Sequence, residues 1–483
     1  MPPSLRLLRS LLVCLAPLAL QGVLVLSPHP PAGFNTFDTY GYSWLNSSGV
    51  EALLRTLAAS PIVTRGGYDM ITGGFSGWSQ SPLPNGSAVQ HLDEWGRPTP
   101  APERFPPGSM AAAGRLARSL GLKFGLWIIR GVHADAVARR LPIKGAPGYT
   151  CDMIVDQAAT GGGRNGSCLW DATALGVNAS HPAAAAWYAS QVENLVELGV
   201  EVIEADCFMC EPCYWGEMAL VTAAVLARSE PLTLYYSPGG GNQPADSARV
   251  AQGQTCSFYR TLTDFHGEWY DWGGLQQAVF IAGNFTQAGL HGANGTWPDL
   301  DMIPMGPGWW GQSVEQDDRG QTIATLWMVG RYPLFAAGAL PLDERTLGYL
   351  LNPLALALNR RAGGALTRIE YEGNCSCTGG AGSCTIPHGP GDHPAAPCLA
   401  KWAAAVPGSA AAGWTALAII NMGEDAGTTE TGFAALGLPA RHSDSYRVVD
   451  VWTGEQVAVL PGDAAIATQL RPHASVLLQV SAA

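Results

Sequence analysis

Charge is scarce in this sequence. Asp, Glu, Lys and Arg make up 14% of its 483 residues, against about 25% in an ordinary soluble domain. Positive charge is scarcer still: 27 Lys and Arg face 39 Asp and Glu, a net charge of -12. So few cations cannot build the basic footprint that nucleic acid requires, which excludes that class of partner. Past Leu26 no apolar run is long enough to span a bilayer. No glycine-rich turn follows the first strand candidate, which argues against a dinucleotide-binding open sheet. What is abundant is hydrophobic residues at 47%, too many for a disordered chain, with Gly 59, Pro 35 and Trp 16. The glycines have no triplet period and read as loops. The tryptophans offer aromatic faces that suit apolar C–H surfaces, including those of sugar rings.

The N-terminus carries Arg6 and Arg9 ahead of an apolar run from Leu11 to Leu26. Pro17, Gln21 and Gly22 interrupt that run, so residues 1–27 read as a cleaved secretory leader rather than an anchor. The expected destination is outside the cell or a vacuolar or lysosomal lumen, with no membrane attachment after cleavage. Sequons at Asn46, Asn85, Asn165, Asn178, Asn284, Asn294 and Asn374 fit that route. Cysteine usage fits it better. Once Cys14 leaves with the leader, Cys151, Cys168, Cys207, Cys210, Cys213, Cys256, Cys375, Cys377, Cys384 and Cys398 remain. This even set reads as up to five disulfides in an oxidising compartment. The tight group Cys207, Cys210 and Cys213 has no histidine or second cysteine pair at zinc spacing, so no metal is expected there.

Between Ala32 and Leu351 short apolar runs alternate with helix-like segments. The runs are Gly33–Phe37, Asp69–Thr72, Leu122–Ile129, Glu201–Ala205, Thr233–Ser237, Phe258–Thr263, Asp301–Met305 and Pro333–Ala337. Several are apolar throughout, as strands buried on both faces must be. Helical stretches include Pro107–Leu120, Pro182–Leu198, Gly216–Ala227 and Thr322–Val329. The pattern predicts an α/β chain with a (β/α)8 TIM barrel over residues 28–360. After Leu366 the helical period stops, and alternating segments appear at Thr415–Ile420, Tyr446–Trp452, Gln456–Leu460 and Ser475–Val480. Residues 361–483 therefore read as a small antiparallel β-sandwich, entered through the Cys-rich loop 372–399.

Active sites of such barrels lie at the C-terminal ends of the strands. That rule selects Asp206, Asp264, and the pair Asp299 and Asp301. Two carboxylates on different strands of one rim are the apparatus of glycoside hydrolysis, one attacking or activating water and one donating a proton. The plainer reading of each, as a cap of the following helix, competes with this. The stretch Gly74-Phe-Ser-Gly77 lacks the G-x-S-x-G spacing of a serine hydrolase elbow.

The ordered motifs carry a resemblance. Pro31-Ala-Gly-Phe-Asn-Thr-Phe-Asp38, Asp93-Glu-Trp-Gly-Arg-Pro-Thr-Pro-Ala-Pro-Glu-Arg-Phe-Pro-Pro-Gly108, Gly121–Trp127, Glu201–Cys207, Tyr259–Asp264, Trp297-Pro-Asp-Leu-Asp-Met302 and Gln321–Phe335 run in sequence. Together they resemble glycoside hydrolase family 27, the α-galactosidase and α-N-acetylgalactosaminidase family, and in particular a bacterial-type branch of it. The tail, with Val449-Asp-Val-Trp-Thr-Gly454 and Pro472-His-Ala-Ser-Val-Leu-Leu478, resembles the family's C-terminal β domain. The resemblance implies a retaining enzyme with Asp206 as nucleophile and Asp264 as general acid/base. Arg260 would lie on the 2-hydroxyl side of the sugar. Asp301 and Met302 would line the pocket, and Phe37, Trp127 and Trp297 would form its apolar wall. No cofactor is implied. The partners are an oligosaccharide or glycoconjugate, and a homodimer is left open.

This chain departs from the family at three places. Paired aspartates at the end of the second strand are replaced by Gly74 and Phe75. A lysine two residues before the nucleophile is replaced by Glu204, with Arg130 as a candidate compensating cation. The loop from Tyr236 to Gly241 lacks the usual bulky sugar contacts, leaving Tyr236 as a candidate. Lost partners for a buried hydroxyl cost about 1–3 kcal/mol each. The reaction class is therefore expected to transfer better than galactose does. A pentopyranoside lacking the hydroxymethyl group and a non-catalytic sugar binder are the competing expectations.

Overall fold

The computed structural model describes residues 24–41, 45–73, 75, 77–83, 88–157, 166–209, 213–237, 244–253, 255–269, 274–306, 318–361, 367–373, 375, 397–407 and 413–483. Eight parallel strands form one sheet: β1 (Ala32–Asn35), β2 (Met70–Thr72), β3 (Lys123–Ile129), β4 (Val202–Asp206), β5 (Thr233–Ser237), β6 (Phe258–Arg260), β7 (Trp297–Asp299) and β8 (Leu334–Ala336). The hydrogen-bonded order is β7-β6-β5-β4-β3-β2-β1-β8. The ring closes through a parallel bridge between Ile303 and Ala336, with Ile303 N–H donating to Phe335 O at 2.7 Å. The helices that follow the strands are α1 (Ser47–Ala59), α2 (Ser109–Ser119), α3 (Ala184–Glu197), α4 (Trp215–Leu226), α5 (Pro244–Gly253), α6 (Leu275–Gln287), α7 (Arg319–Val329) and α8 (Pro353–Arg361). This is the expected (β/α)8 barrel.

Strand alternation divides two cores. Met70, Val202, Tyr235, Phe258, Trp297 and Phe335 point inward and fill the barrel, with the Tyr235 and Phe258 rings stacked 4.2 Å apart. Phe34, Ile71, Phe124, Leu126, Ile203 and Leu234 point outward and are sealed by the helices. One strand sits earlier than expected. β7 is Trp297–Asp299, not Asp301–Met305. Pro298 has no N–H to give the ladder. Beyond Asp299 the chain turns through Asp301, whose φ is 81°, and Ile303 makes the link to β8.

The barrel floor is plugged from the N-terminus. Leu24 bridges Leu232, Ser27 N–H donates to Gly295 O at 3.3 Å, and Trp297 Nε1–H donates to Ser27 O at 2.9 Å. Most of the expected leader, residues 1–23, lies outside the described residues. A cut at residue 27 would remove these floor contacts. Among the described residues no helix is long and apolar enough to cross a membrane.

The C-terminal part is an antiparallel β-sandwich, as expected. It holds β9 (Thr367–Gly373), β10 (Cys398–Val406), β11 (Trp414–Asn421), β12 (Gly427–Gly432), β13 (Ser445–Asp450), β14 (Gln456–Pro461), β15 (Ala465–Leu470) and β16 (Ser475–Ala482). Six strands make one sheet in the order β9-β10-β11-β16-β13-β14, and β12 pairs with β15. One face of the large sheet, with Leu399, Leu417, Ile419 and Val448, closes over Phe433 and Ile466. The other, with Ala400, Trp402, Ala418 and Ile420, joins the outer core of the barrel. Polar ties hold the seam: Gln321 to Ser475 O at 2.8 Å, Trp452 Nε1 to Thr325 Oγ1 at 3.1 Å, and Asn352 to Val451 O at 2.8 Å.

Two disulfides are present among the described residues, Cys168–Cys207 and Cys375–Cys398. The expectation of up to five is corrected, because Cys151 and Cys256 are buried thiols. Burial raises the Cys151 thiol to about 12. Cys207 is bonded, so it is not a zinc ligand. Its partner, Cys168, lies on the loop after β3. Cys210, Cys377, Cys384, Asn85, Asn165 and Asn374 lie outside the described residues, as does most of the Cys-rich loop.

Candidate active site

At the C-terminal end of the barrel lies a cavity of about 560 Å³. It is lined by Phe37, Gly73, Trp127, Trp170, Glu204, Asp206, Ser237, Arg260, Asp264 and Met302. Seven of the proposed site residues meet there: Phe37, Trp127, Glu204, Asp206, Arg260, Asp264 and Met302. Alternation explains the group. On β4 the side chains of Val202, Glu204 and Asp206 share the inner face, and β3 sets Trp127 opposite Glu204.

Asp206 ends β4 and receives two donors. Cys207 N–H reaches Oδ1 at 2.6 Å, and Trp127 Nε1–H reaches Oδ2 at 3.1 Å. Burial raises its proton affinity, the nearby Asp264 charge adds to that, and Arg260 with the two donors opposes; the result is about 6. At neutral pH it is an anion already held by hydrogen bonds. The backbone is forced here: Cys207 has φ 66°, in the left-handed region unusual for a side-chain residue. Asp301 after β7 and Phe75 after β2, with φ 48°, share that region. Such strain costs on the order of 1–3 kcal/mol each and persists where the surroundings dictate it.

Arg260, on the inner face of β6, is nearly sealed from water. It is ion-paired with Asp264 and with Asp301, and its Nε–H donates to Leu262 O at 3.0 Å. Asp264 itself is 61% exposed and stands at the cavity mouth. Asp301 does not line the cavity. It is 1% exposed, accepts Phe265 N–H at 2.9 Å, and fixes Arg260 from below. Asp299 lies deeper still, accepting from Tyr235 OH at 2.8 Å, and burial with the charge of Asp301 lifts it to about 7.

Glu204 is the unusual group. It is buried and accepts Gly73 N–H at 2.6 Å. Burial pushes its carboxyl up to about 8, so it is a neutral acid at pH 7 and can donate as well as accept. Gly73 permits this contact: its φ is 72°, and a Cβ there would sit 2.4 Å from Asn35 Oδ1.

Four expectations are corrected: Asp301, expected in the pocket lining, is buried behind it, and Arg130, Tyr236 and Trp297 lie elsewhere. Arg130 is turned away from the cavity: it pairs with Glu217, donates from Nε to Cys207 O at 3.0 Å, and also bonds Gly166 O. It is a brace beneath the rim, not a compensating cation. It also lines a second cavity of about 780 Å³, with Trp78, Trp187 and Gln191; Trp127 borders both. Tyr236 pairs in register with the outward Ala205 and bonds Met218 O at 2.9 Å on α4. Ser237, opposite Asp206, takes the place expected of it, and simple alternation could have shown that. Trp297 begins β7 rather than ending it, so it closes the barrel floor far from the rim. Of the second-strand replacements, Gly74 lies outside the described residues, and the Phe75 ring stacks on Phe124 at 5.6 Å instead of lining the cavity.

Two features were not anticipated. Trp170, on a loop with no strand signal, lines the mouth. Asp38, from the first motif, is buried and pairs with His266 at 3.0 Å just beyond Asp264. Among the described residues no group of three His, Cys, Asp or Glu could hold a metal ion.

Residues 402–480 match the family described as the alpha galactosidase C-terminal beta sandwich domain. No curated protein matches the chain. Among solved structures it resembles a glycoside hydrolase family 27 β-L-arabinopyranosidase variant from Geobacillus stearothermophilus in complex with arabinose. Identity is 23%, over 94% of this chain and 98% of that one, with a TM-score of 0.75. It also resembles the α-galactosidase of Saccharomyces cerevisiae at 12% identity, over 94% and 98%, with a TM-score of 0.62. Over nearly its whole length the chain thus has the barrel-and-sandwich fold of these glycoside hydrolase family 27 enzymes, and its C-terminal sandwich matches the alpha galactosidase C-terminal domain.

Proposed function

We propose that the chain is a retaining glycosidase that removes a terminal α-galactoside-like sugar from a larger glycoside. The observation that carries this is one pocket holding two carboxylates in unlike settings. Asp206 is partly exposed in the pocket wall and held by two hydrogen bonds, while Asp264 is water-accessible and tethered to Arg260. Unlike environments for two carboxylates are what nucleophile and acid/base roles require. In the first step Asp206 attacks the anomeric carbon as the bond to the leaving oxygen breaks, and Asp264 protonates that oxygen. In the second, Asp264 takes a proton from water, which attacks the same carbon and frees Asp206. The Trp127 and Cys207 donors stabilise the departing carboxylate.

A second reading has its own support. A β-L-arabinopyranoside has the ring configuration of an α-D-galactopyranoside without the hydroxymethyl group. Among the described residues the end of β2 offers only the Gly73 backbone to the pocket, with no carboxylate for a 6-hydroxyl. One of the structurally similar enzymes is a β-L-arabinopyranosidase crystallised with arabinose. Disulfides favour an oxidising compartment, in keeping with a secreted or lumenal enzyme.

The test is a panel of aryl α-galactosides, β-L-arabinopyranosides and other glycosides, with the product anomer followed by NMR. Turnover with retained configuration, lost in Asp206→Ala, is expected. An inverted product would reject the mechanism. Sugar binding with no turnover of any glycoside would make the protein a carbohydrate-binding relative.

A further inference from the structure

Leu169 and Trp170 are exposed large apolar residues, 64% and 47% accessible, beside a pocket whose other aromatic residues are partly or fully covered. An isolated exposed apolar residue needs no explanation, but one that lines a cavity does. Trp170 is not on a loose loop. Cys168 N–H bonds Ala174 O at 3.1 Å and Ala174 N–H bonds Asp171 O at 3.2 Å. These close a compact turn around it. The turn continues into a two-stranded ladder pairing Val132 with Leu175 and His133 with Ala174. The Cys168–Cys207 disulfide joins it to the residue after Asp206. Arg130 bonds both Cys207 O and Gly166 O, so the junction is braced on two sides.

The position of Trp170 fixes what it can touch. Glu204, Gly73 and Met302 are buried at the inner end of the pocket, whereas Asp264 is open to water at the mouth. An acid/base must face the leaving oxygen, so the mouth is where the leaving group emerges. We infer, resting on the proposed glycosidase reading, that Trp170 is a stacking platform for the leaving-group side of the substrate. The ligand is the apolar face of a neutral sugar unit linked through the scissile oxygen. The Cys168–Cys207 bond makes the platform and the nucleophile one rigid part, holding substrate position on both sides of the bond to be cut.

Binding is measured by titration calorimetry in the full-length Asp206→Ala protein, so that the outcome does not depend on turnover. The probes are an intact α-galactosyl disaccharide and a β-L-arabinopyranosyl disaccharide, each beside its free monosaccharide. Trp170→Ala is expected to weaken the better disaccharide about tenfold, and clearly more than the monosaccharide. Trp170→Phe should recover most of that difference, and Cys168→Ala should give a smaller loss in the same direction. Equal weakening of disaccharide and monosaccharide, or equal affinity of the two for the parent, would overturn the platform. Absence of turnover in wild type with the affinity difference intact would count against the enzyme reading alone.

Discussion

In and beneath the cavity at the barrel mouth, Arg260 stands among Glu204, Asp206, Asp264, Asp299 and Asp301. In the sandwich one cation, Lys401, stands between Glu370 and Glu372 at 2.8 and 2.6 Å. Both cations are almost fully buried, but their surroundings differ. At the mouth carboxylates outnumber the guanidinium and most are sealed from water. Burial therefore lifts Glu204 to about 8 and Asp206 to about 6. In the sandwich the acids are about half exposed, and the Lys401 ammonium holds Glu372 below its ordinary range. Burial alone would lower Lys401, but its two acid partners outweigh that and raise it. The first arrangement keeps groups near the titration range where acid–base chemistry happens; the second favours the charged forms of Lys401 and Glu372. Both cations face an excess of acids; burial of the carboxylates themselves, which is the largest cause of the raised values at the mouth, separates the reactive cluster from the structural one.

The largest expected effect concerns the reactive cluster. Asp206→Ala should lower kcat on aryl glycosides by roughly 10⁴-fold or more, as loss of a nucleophile does. Asp264→Ala should cost about 10²–10⁴-fold where the leaving group needs a proton. It should cost much less where the leaving group is already stable as an anion. Equal losses on good and poor leaving groups would sink the assignment of roles.

Arg260→Met comes next. It leaves Asp301 buried without its cation, and breaking such a pair costs about 3–5 kcal/mol. Urea unfolding at pH 7 measures it. Because Arg260 also holds Asp206 down, the acid limb of activity should move above its wild-type position near pH 6. The sign is fixed: the nucleophile must be ionised, so activity is present above that value and lost below it.

The sequence carried most of the mouth and less of its surroundings. Asp206, Asp264, Arg260, Trp127 and Met302 stand at or just beyond strand ends, where the barrel rule looks for them. Trp170 belongs to no strand and is brought to the mouth by a disulfide whose pairing spacing alone could not show. Arg130 follows β3 by one residue, yet its length lets it turn to Glu217, and a one-letter code does not show that choice. Trp297 was misplaced because a three-residue strand containing proline gives little β signal. In the sandwich, β10 is rich in alanine and β12 reads Gly427-Thr-Thr-Glu-Thr-Gly432, with weak β propensity or few apolar residues. Those strands form because their neighbours pair with them.

Glu204→Gln sharpens the comparison through pH. The wild-type carboxyl has a folded value near 8, raised from 4.5. Its favourable contribution is thus complete below about pH 4.5 and is lost as pH rises through 8. The amide keeps an oxygen for Gly73 N–H and cannot ionise. The variant should match the wild type near pH 4 and melt at a higher temperature near pH 9. A parallel shift at both pH values would show that Glu204 is not neutral in the folded protein.

Lys401→Met should have the smallest effect, and it tests the structural half of the comparison. The methyl end of methionine occupies a site that is already 0% exposed, so packing is largely kept. Glu370 and Glu372 have side chains 51% and 43% accessible, so water can replace the ammonium around both. What is lost is screened attraction, offset by no longer desolvating a charge. Stability at pH 7 should change by about 1 kcal/mol or less. A loss as large as that from Arg260→Met would mean that the two clusters do not differ in the way their charges are hydrated. Burial of the acids would then no longer explain why only one of them titrates near neutrality.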